Sequence, residues 1–288
     1  MRLMDEAQPG RIERLSPLVR RLLAPNPSPF TFTGTQTYIV GSGAVAVIDP
    51  GPAIPGHVDA LLSALGGERV AAIVCTHTHR DHSPASRPLA AATGAAIVGC
   101  AALSLEDEGP RSDAAFDPDY APDRVLADGE ALKGEGWRLE AVATPGHTSN
   151  HLCLALPQER ALFTGDHVMG WSTTIVSPPD GDMAAYVASL FKLQARDDAV
   201  YYPAHGPSIE TPQKLLRGLI LHRRQREAQI LAELRGGEQM IAAMVPRMYS
   251  NIDPRLHPAA ERSVLAHLLD LEARGLVSRE ADGWRIVA

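Results

Sequence analysis

The sequence predicts an α/β layered domain followed by a smaller helical segment that closes on a hairpin. Three observations predict it. Short apolar runs rich in β-branched residues alternate with alanine-rich stretches through the first 213 residues. The charge changes sign near that point: residues 214–288 hold 12 Lys+Arg against 9 Asp+Glu, net +3, leaving 15 against 25, net −10, before it. A 288-residue chain with 45% hydrophobic and 21% charged residues has material for one large or two small packed domains and is not a disordered polymer. The expected division is therefore 1–213 and 214–288.

In order, the apolar runs predict strands over 37–40, 45–48, 71–75, 95–98, 138–143, 152–156, 161–163 and 200–202. Gly41-Ser42-Gly43 reads as a hairpin turn between the first two. Helices are expected over 56–65, 84–92 and 183–194. Residues 103–130 are rich in Asp, Glu and Pro without a clear period and read as a long loop able to rim a site. Thr211-Pro212 opens a helix as N-cap and first-turn proline, with leucines and isoleucines near one stripe as far as Leu234 and Gly236-Gly237 as its stop. Helices around 240–248 and 259–273 follow, the second closed by Gly275. A hairpin over 276–279 and 284–287 turns at Asp282-Gly283. Helix, helix and hairpin together resemble a winged helix.

Several classes are excluded early. No stretch approaches 18 apolar residues, so no membrane span is expected. The first six residues carry acids and lack an apolar core, unlike a secretory signal. Three widely spaced cysteines, Cys75, Cys100 and Cys153, make no disulfide framework and fit a reducing, cytoplasmic setting.

The eleven histidines are distributed unevenly. Thr76-His77-Thr78-His79-Arg80-Asp81-His82 follows directly on the apolar run 71–75, where a strand gives way to a loop and side chains converge without helical or strand periodicity. Such a loop allows His77 and His79 to face one metal and Asp81 and His82 to turn toward a second. His147, Asp166 and His205 each lie just beyond another apolar run with a glycine alongside. Five imidazoles and two carboxylates, with no cysteine among them, suit zinc, and also iron or manganese. Seven donors are too many for one tetrahedral ion and serve two ions sharing a carboxylate.

At these residues the sequence resembles the metallo-β-lactamase superfamily. His-x-His-x-Asp-His, Gly-His-Thr, Gly-Asp and a late Gly-flanked histidine match its pattern in order over about residues 30–210. Gly34-Thr35-Gln36-Thr37-Tyr38 and Val47-Ile48-Asp49-Pro50-Gly51 fit its first strands. With the helical tail, the chain is most similar to the branch that holds β-lactamase-like protein 2. The resemblance implies a four-layer αββα sandwich with metals at one edge of the sheets, 1–213 as catalytic domain and 214–288 as helical linker and winged-helix-like domain. It implies that His77, His79 and His147 bind the first metal, that Asp81, His82 and His205 bind the second, and that Asp166 bridges.

The chemistry expected is hydrolysis by a binuclear zinc site, with metal-bound hydroxide attacking an ester, thioester or lactone carbonyl of a small molecule. Asp81 orients that nucleophile or relays its proton. Asp49 either hydrogen-bonds a ligand histidine or simply shapes an Asp-Pro-Gly turn. His151 either touches substrate or supports the site from behind, and Trp171 either walls a pocket or packs. His167 points away into the fold, and His57, His222, His257 and His267 are expected on helices or the surface. The run His222-Arg223-Arg224-Gln225-Arg226 holds an anionic substrate tail or forms a solvated helix face. A single-strand-directed ribonuclease, the activity of the resembled branch, is the alternative. The −7 net charge and 5% aromatic content argue against it, since such binding draws on basic grooves and stacking rings. A metal- or ligand-sensing non-enzyme is the third reading, and it has no need of so complete a donor set.

Overall fold

Residue alternation decides which face each strand buries. The computed structural model describes residues 7–103, 116–237, 239–281 and 283–287. Its first sheet runs in sequential order through β1 (Ile12–Arg14), β2 (Val19–Leu23), β3 (Gln36–Ser42), β4 (Ala44–Ile48), β5 (Arg69–Cys75), β6 (Ile97–Gly99) and β7 (Arg124–Val125). The first four strands are antiparallel neighbours, and β4 to β7 are parallel. Helix α1 (Pro55–Leu65) connects β4 to β5, and α2 (Ser86–Thr93) connects β5 to β6. Such crossovers are what parallel neighbours require.

The second sheet has the spatial order β12-β11-β10-β9-β8, from β8 (Ala131–Gly134), β9 (Trp137–Ala143), β10 (Leu152–Leu156), β11 (Ala161–Gly165) and β12 (Val200–Pro203). It is antiparallel except for β11 and β12, which α3 (Met183–Gln194) joins. Ile39, Val45, Val47 and Ile73 pack outward onto Leu61 and Leu65 of α1 and Leu89 of α2. Their alternates, Tyr38, Val40, Ala46, Ile48 and Val74, face Leu139, Leu154, Leu156 and Phe163 of the second sheet. The other face of that sheet, including Val142, Ala155 and Leu162, packs on α3 and on Leu216, Leu219 and Ile220 of α4 (Pro212–Leu234). The period of two thus makes four layers, helix, sheet, sheet and helix.

The far end of α4 contributes Ile230 and Leu234 to a third core. The rest of that core comes from α5 (Ile241–Met248), α6 (His257–Ala273) and the antiparallel pair β13 (Val277–Arg279) and β14 (Trp284–Ile286). Helix α4 therefore belongs to two cores at once.

Several expectations are corrected. Strands β1, β2, β7 and β8 were absent from the sequence-based set. The strand expected over 95–98 occupies Ile97–Gly99, and the helix expected over 84–92 begins at Ser86. Part of the expected loop 103–130 contains β7, and residues 104–115 lie outside the described residues, as do Asp282 and residues 1–6. Thr211 precedes α4 without a side-chain capping bond. All three cysteines are free and buried. Among the described residues no helix is long and apolar enough to cross a membrane.

Candidate metal centre

Four loops converge at one edge of the two sheets. His77, His79, Asp81 and His82 follow β5 of the first sheet, whereas His147, Asp166 and His205 follow β9, β11 and β12 of the second. Glycine permits two of these loops. Gly146, at φ 136°, leaves no room for a Cβ against the Tyr186 backbone, and a Cβ on Gly165 would lie 2.6 Å from His151 Nε2. The seven side chains form two groups able to hold a metal ion, His77–His79–His147–Asp166 and Asp81–His82–His205, each with donor atoms within 4.8 Å of one another.

In the first group His79 Nδ1 lies 3.1 Å from His77 Nε2 and 3.1 Å from His147 Nε2. The other nitrogens are anchored: His147 Nδ1 donates to the Ile175 carbonyl at 2.7 Å, and His77 Nδ1 meets Thr76 Oγ1 at 3.0 Å. A proton on His147 Nδ1 leaves Nε2 with its lone pair aimed inward, the tautomer a metal takes. Burial, with His82 and His79 nearby, holds His77 well below the ordinary histidine range, and burial with His147 pushes His79 down to about 3. These two imidazoles are neutral, and a single proton on His79 Nδ1 can serve only one of its two contacts.

The second group is different. His205 Nε2 lies 3.2 Å from both Asp81 Oδ2 and Asp166 Oδ1, and His82 Nε2 lies 3.3 Å from Asp81 Oδ2 and 3.5 Å from Asp166 Oδ1. Burial opposes charge on these histidines, but the carboxylates outweigh it, raising His82 well above its ordinary value and His205 to about 10. Burial likewise opposes ionisation of the acids, and His82 and His205 overcome it, holding Asp81 and Asp166 well below the usual carboxylate range. Even so, His82 Nε2 and Asp166 Oδ1 are buried without a hydrogen-bond partner of good geometry. Asp166 faces both groups, with Oδ1 toward His82 and His205 and Oδ2 3.7 Å from His147 Nε2. Orphaned buried donors, a carboxylate split between two clusters and an all-imidazole-and-carboxylate set fit divalent cations. A cavity of about 360 Å³ opens on them, lined also by Phe30, Met169 and Ile175.

Residues 30–205 match the model of the Metallo-beta-lactamase superfamily, well over half of the chain. The chain belongs to that superfamily. Residues 241–284 of this metallo-beta-lactamase superfamily member match the Beta-lactamase associated winged helix domain. A "Beta-lactamase-like protein 2 homolog" of Drosophila melanogaster is 34% identical over 94% of each chain. An "Atrochrysone carboxyl ACP thioesterase AgnL7" of Paecilomyces divaricatus is 34% identical over 77% of this chain, which spans only 66% of that protein's length. Among solved structures, a beta-lactamase domain protein from Burkholderia ambifaria superposes with a TM-score of 0.82 at 21% identity, covering 98% of this chain and 96% of the other.

In this superfamily member the supporting residues are specific. Asp49 does both things left open for it. It sits at a turn with φ 46°, and its carboxylate accepts from Thr76 N and Thr76 Oγ1 at 2.8 Å each and meets His82 Nδ1 at 3.0 Å. That contact fixes His82 with Nε2 toward Asp81 and Asp166. His151 does not reach the cavity. It is buried, and its Nε2 accepts from the Asp166 backbone N–H at 3.2 Å while Nδ1 meets Thr144 Oγ1 at 2.9 Å. Burial, then His167 and His147, keeps it neutral, as that acceptor role requires.

Trp171 stacks on Phe32, with ring centroids 5.0 Å apart, and lines a neighbouring cavity rather than the one at the metal centre. His167 is buried against Tyr186, away from the site. His57 and His267 lie on helices as expected, but inside the protein. Two contributors went unrecognised in the sequence. Thr35 Oγ1 donates to Asp81 Oδ2 at 2.9 Å, and Thr174 Oγ1 donates to the Asp166 carbonyl at 2.8 Å. Lone threonines in loops give no sequence signal for such contacts.

Proposed function

We propose that the chain is a binuclear, zinc-dependent hydrolase that breaks the acyl C–S or C–O bond of a small substrate, a thioester ahead of an ester or lactone, releasing a carboxylate and a thiol or alcohol. The observation that carries this reading is Asp166 placed between two donor groups at the mouth of a cavity of small-molecule size. When bound, two divalent ions supply a water acidified to a pKa of ~7 and an electrophile for the oxyanion that develops on attack.

The chain's own residues do the rest. His77, His79 and His147 would hold one ion and Asp81, His82 and His205 the other, with Asp166 placed between the two groups. Among the described residues Asp81 meets Thr35, His82 and His205 through Oδ2, which fixes its carboxylate at the site, where it would orient a water and accept its proton. Phe30, Met169 and Ile175 give the cavity an apolar wall that excludes bulk water from the acyl group. The thioesterase name of a 34%-identical relative supports the choice of thioester. The cavity's volume favours a small molecule over a polynucleotide.

The test is one metal-quantified sample assayed side by side on acyl thioesters, lactones and single-stranded RNA. Two ions per chain and thioester turnover that a chelator abolishes are expected. RNA cleavage without acyl hydrolysis would overturn the substrate class, and full metal loading without any turnover would favour a sensor.

A further inference from the structure

Helix geometry divides the basic run 222–226 into two faces. At about 100° per residue, Arg223 and Arg226 fall on one side of α4 while Arg224 turns away. Arg224 is exposed, its guanidinium 5.8 Å from the Phe191 ring. Arg223 is only 4% exposed. Its Nη2 donates to the Thr174 carbonyl, its guanidinium lies 4.9 Å over the Tyr186 ring, and its Nε has no acceptor. Arg226 lies 4.0 Å over the Tyr249 ring and donates through Nη1 to Gln229 Oε1 and the Met248 carbonyl, with its own Nε enclosed and unpaired.

Some arginines of the C-terminal segment have carboxylate partners, among them Arg247 with Glu233, Arg255 with Asp253, and Arg274 with Glu227 and Asp270, while Arg217, Arg224, Arg235 and Arg279 stand exposed to solvent. Among the described residues Arg223 and Arg226 have none. A buried guanidinium beside a half-buried one, with no carboxylate paired to either, is costly unless something else supplies the counter-charge.

Both arginines line a cavity of about 260 Å³, with Trp171 and Tyr249 as aromatic walls. That cavity shares Phe30, Met169 and Ile175 with the one at the metal centre. We propose that it is a subsite for an oxyanion, a carboxylate or phosphate, carried on the far end of the acyl substrate whose reacting carbonyl lies beside Asp81 and Asp166. The aromatic walls hold the apolar or planar part that carries the anion, and the guanidinium fork supplies paired donors to it. This rests on the hydrolase reading for what happens at the near end, but binding at the far end requires no turnover.

Calorimetry with uncleavable thioethers tests it on the metal-loaded protein. The probes are phenylthio-hexanoate, phenylthio-hexyl phosphate and the methyl ester of the hexanoate. At least one anionic probe is expected to bind about tenfold tighter than the methyl ester, a typical yield of charge-assisted hydrogen bonds. Whichever anion wins identifies the natural group. Arg226→Gln is expected to bring the preference within about twofold. Arg223→Gln does the same if it folds, and because Arg223 is buried the half-buried Arg226 carries the decision.

Equal binding of all three probes to the wild type, or a preference that survives Arg226→Gln, overturns the proposal. So does an RNA oligonucleotide that displaces the anionic probe in an Arg226-dependent way while being cleaved. Because no probe is hydrolysed, absent thioesterase activity alongside an intact anion preference would count against the hydrolase reading alone.

Discussion

The two halves of the metal centre are built from similar side chains and behave differently without ions. The His77–His79–His147 half places His79 Nδ1 3.1 Å from both His77 Nε2 and His147 Nε2, with His77 and His79 neutral, so one proton there can serve only one of the two contacts. The Asp81–His82–His205 half interleaves acids and bases and partly satisfies itself with protons. The difference teaches that donor count alone does not set the demand for a cation. One half keeps a nitrogen contact that its own proton cannot serve, and the other makes a cation compete with its own protons.

Stripping the ions with a chelator should have the largest effect, lowering hydrolysis by about a thousandfold if electrophilic assistance is worth several kcal/mol. Retained turnover in a metal-free sample would break the account of both halves. Alanine at His79 or His82 separates them. Each should lower activity about a hundredfold and remove one ion by elemental analysis while the circular dichroism spectrum is preserved. His79→Ala should abolish the tighter binding event in a metal titration and His82→Ala the weaker one; the reverse order would invert the comparison. Asp49→Asn leaves one fewer acceptor for Thr76 and His82, and should weaken the second binding event about tenfold with the first unchanged.

The smallest effect is on melting. In the metal-free protein His205 is raised from 6.5 to about 10, so its stabilising contribution is complete below 6.5 and is lost as pH rises through 10. Asp81 and Asp166 are depressed, so theirs is present above 3.8 and lost as pH falls. Between pH 6.5 and 10 the melting temperature of metal-free protein should drop by a few degrees more than that of the loaded form, read by scanning calorimetry. Parallel curves would mean that the carboxylate–imidazole pairs contribute nothing to folding.

Much of this arrangement was legible because an apolar run that breaks into His-x-His-x-Asp-His forces a strand-to-loop transition at a fixed place. Strand β2 was not. Val19-Arg20-Arg21-Leu22-Leu23 puts two arginines mid-run, and Glu68, Glu13 and Gln36, brought in from elsewhere, make them tolerable in a sheet. Strands β7 and β8 are two and four residues long and adjoin an acidic stretch, so no period could register. His151 lay four residues from His147, too close in sequence to reveal that its ring turns behind Asp166 rather than into the cavity. The basic run at 222–226 misled in another way. Composition registers five neighbouring residues as one patch, whereas the helix sends Arg223 and Arg226 inward and Arg224 out.

The loops bearing the donors come from both sheets, and this has a mechanical consequence. An ion held between the β5 loop and the β9 loop would be a clasp across the sandwich, tying positions 77 and 147, and one in the second group would tie 81 to 205. Prising the layers apart then means breaking coordination bonds as well as exposing the apolar interior. A pulling experiment that separates the sheets should meet its greatest resistance at this edge, and a chelator should soften that edge alone.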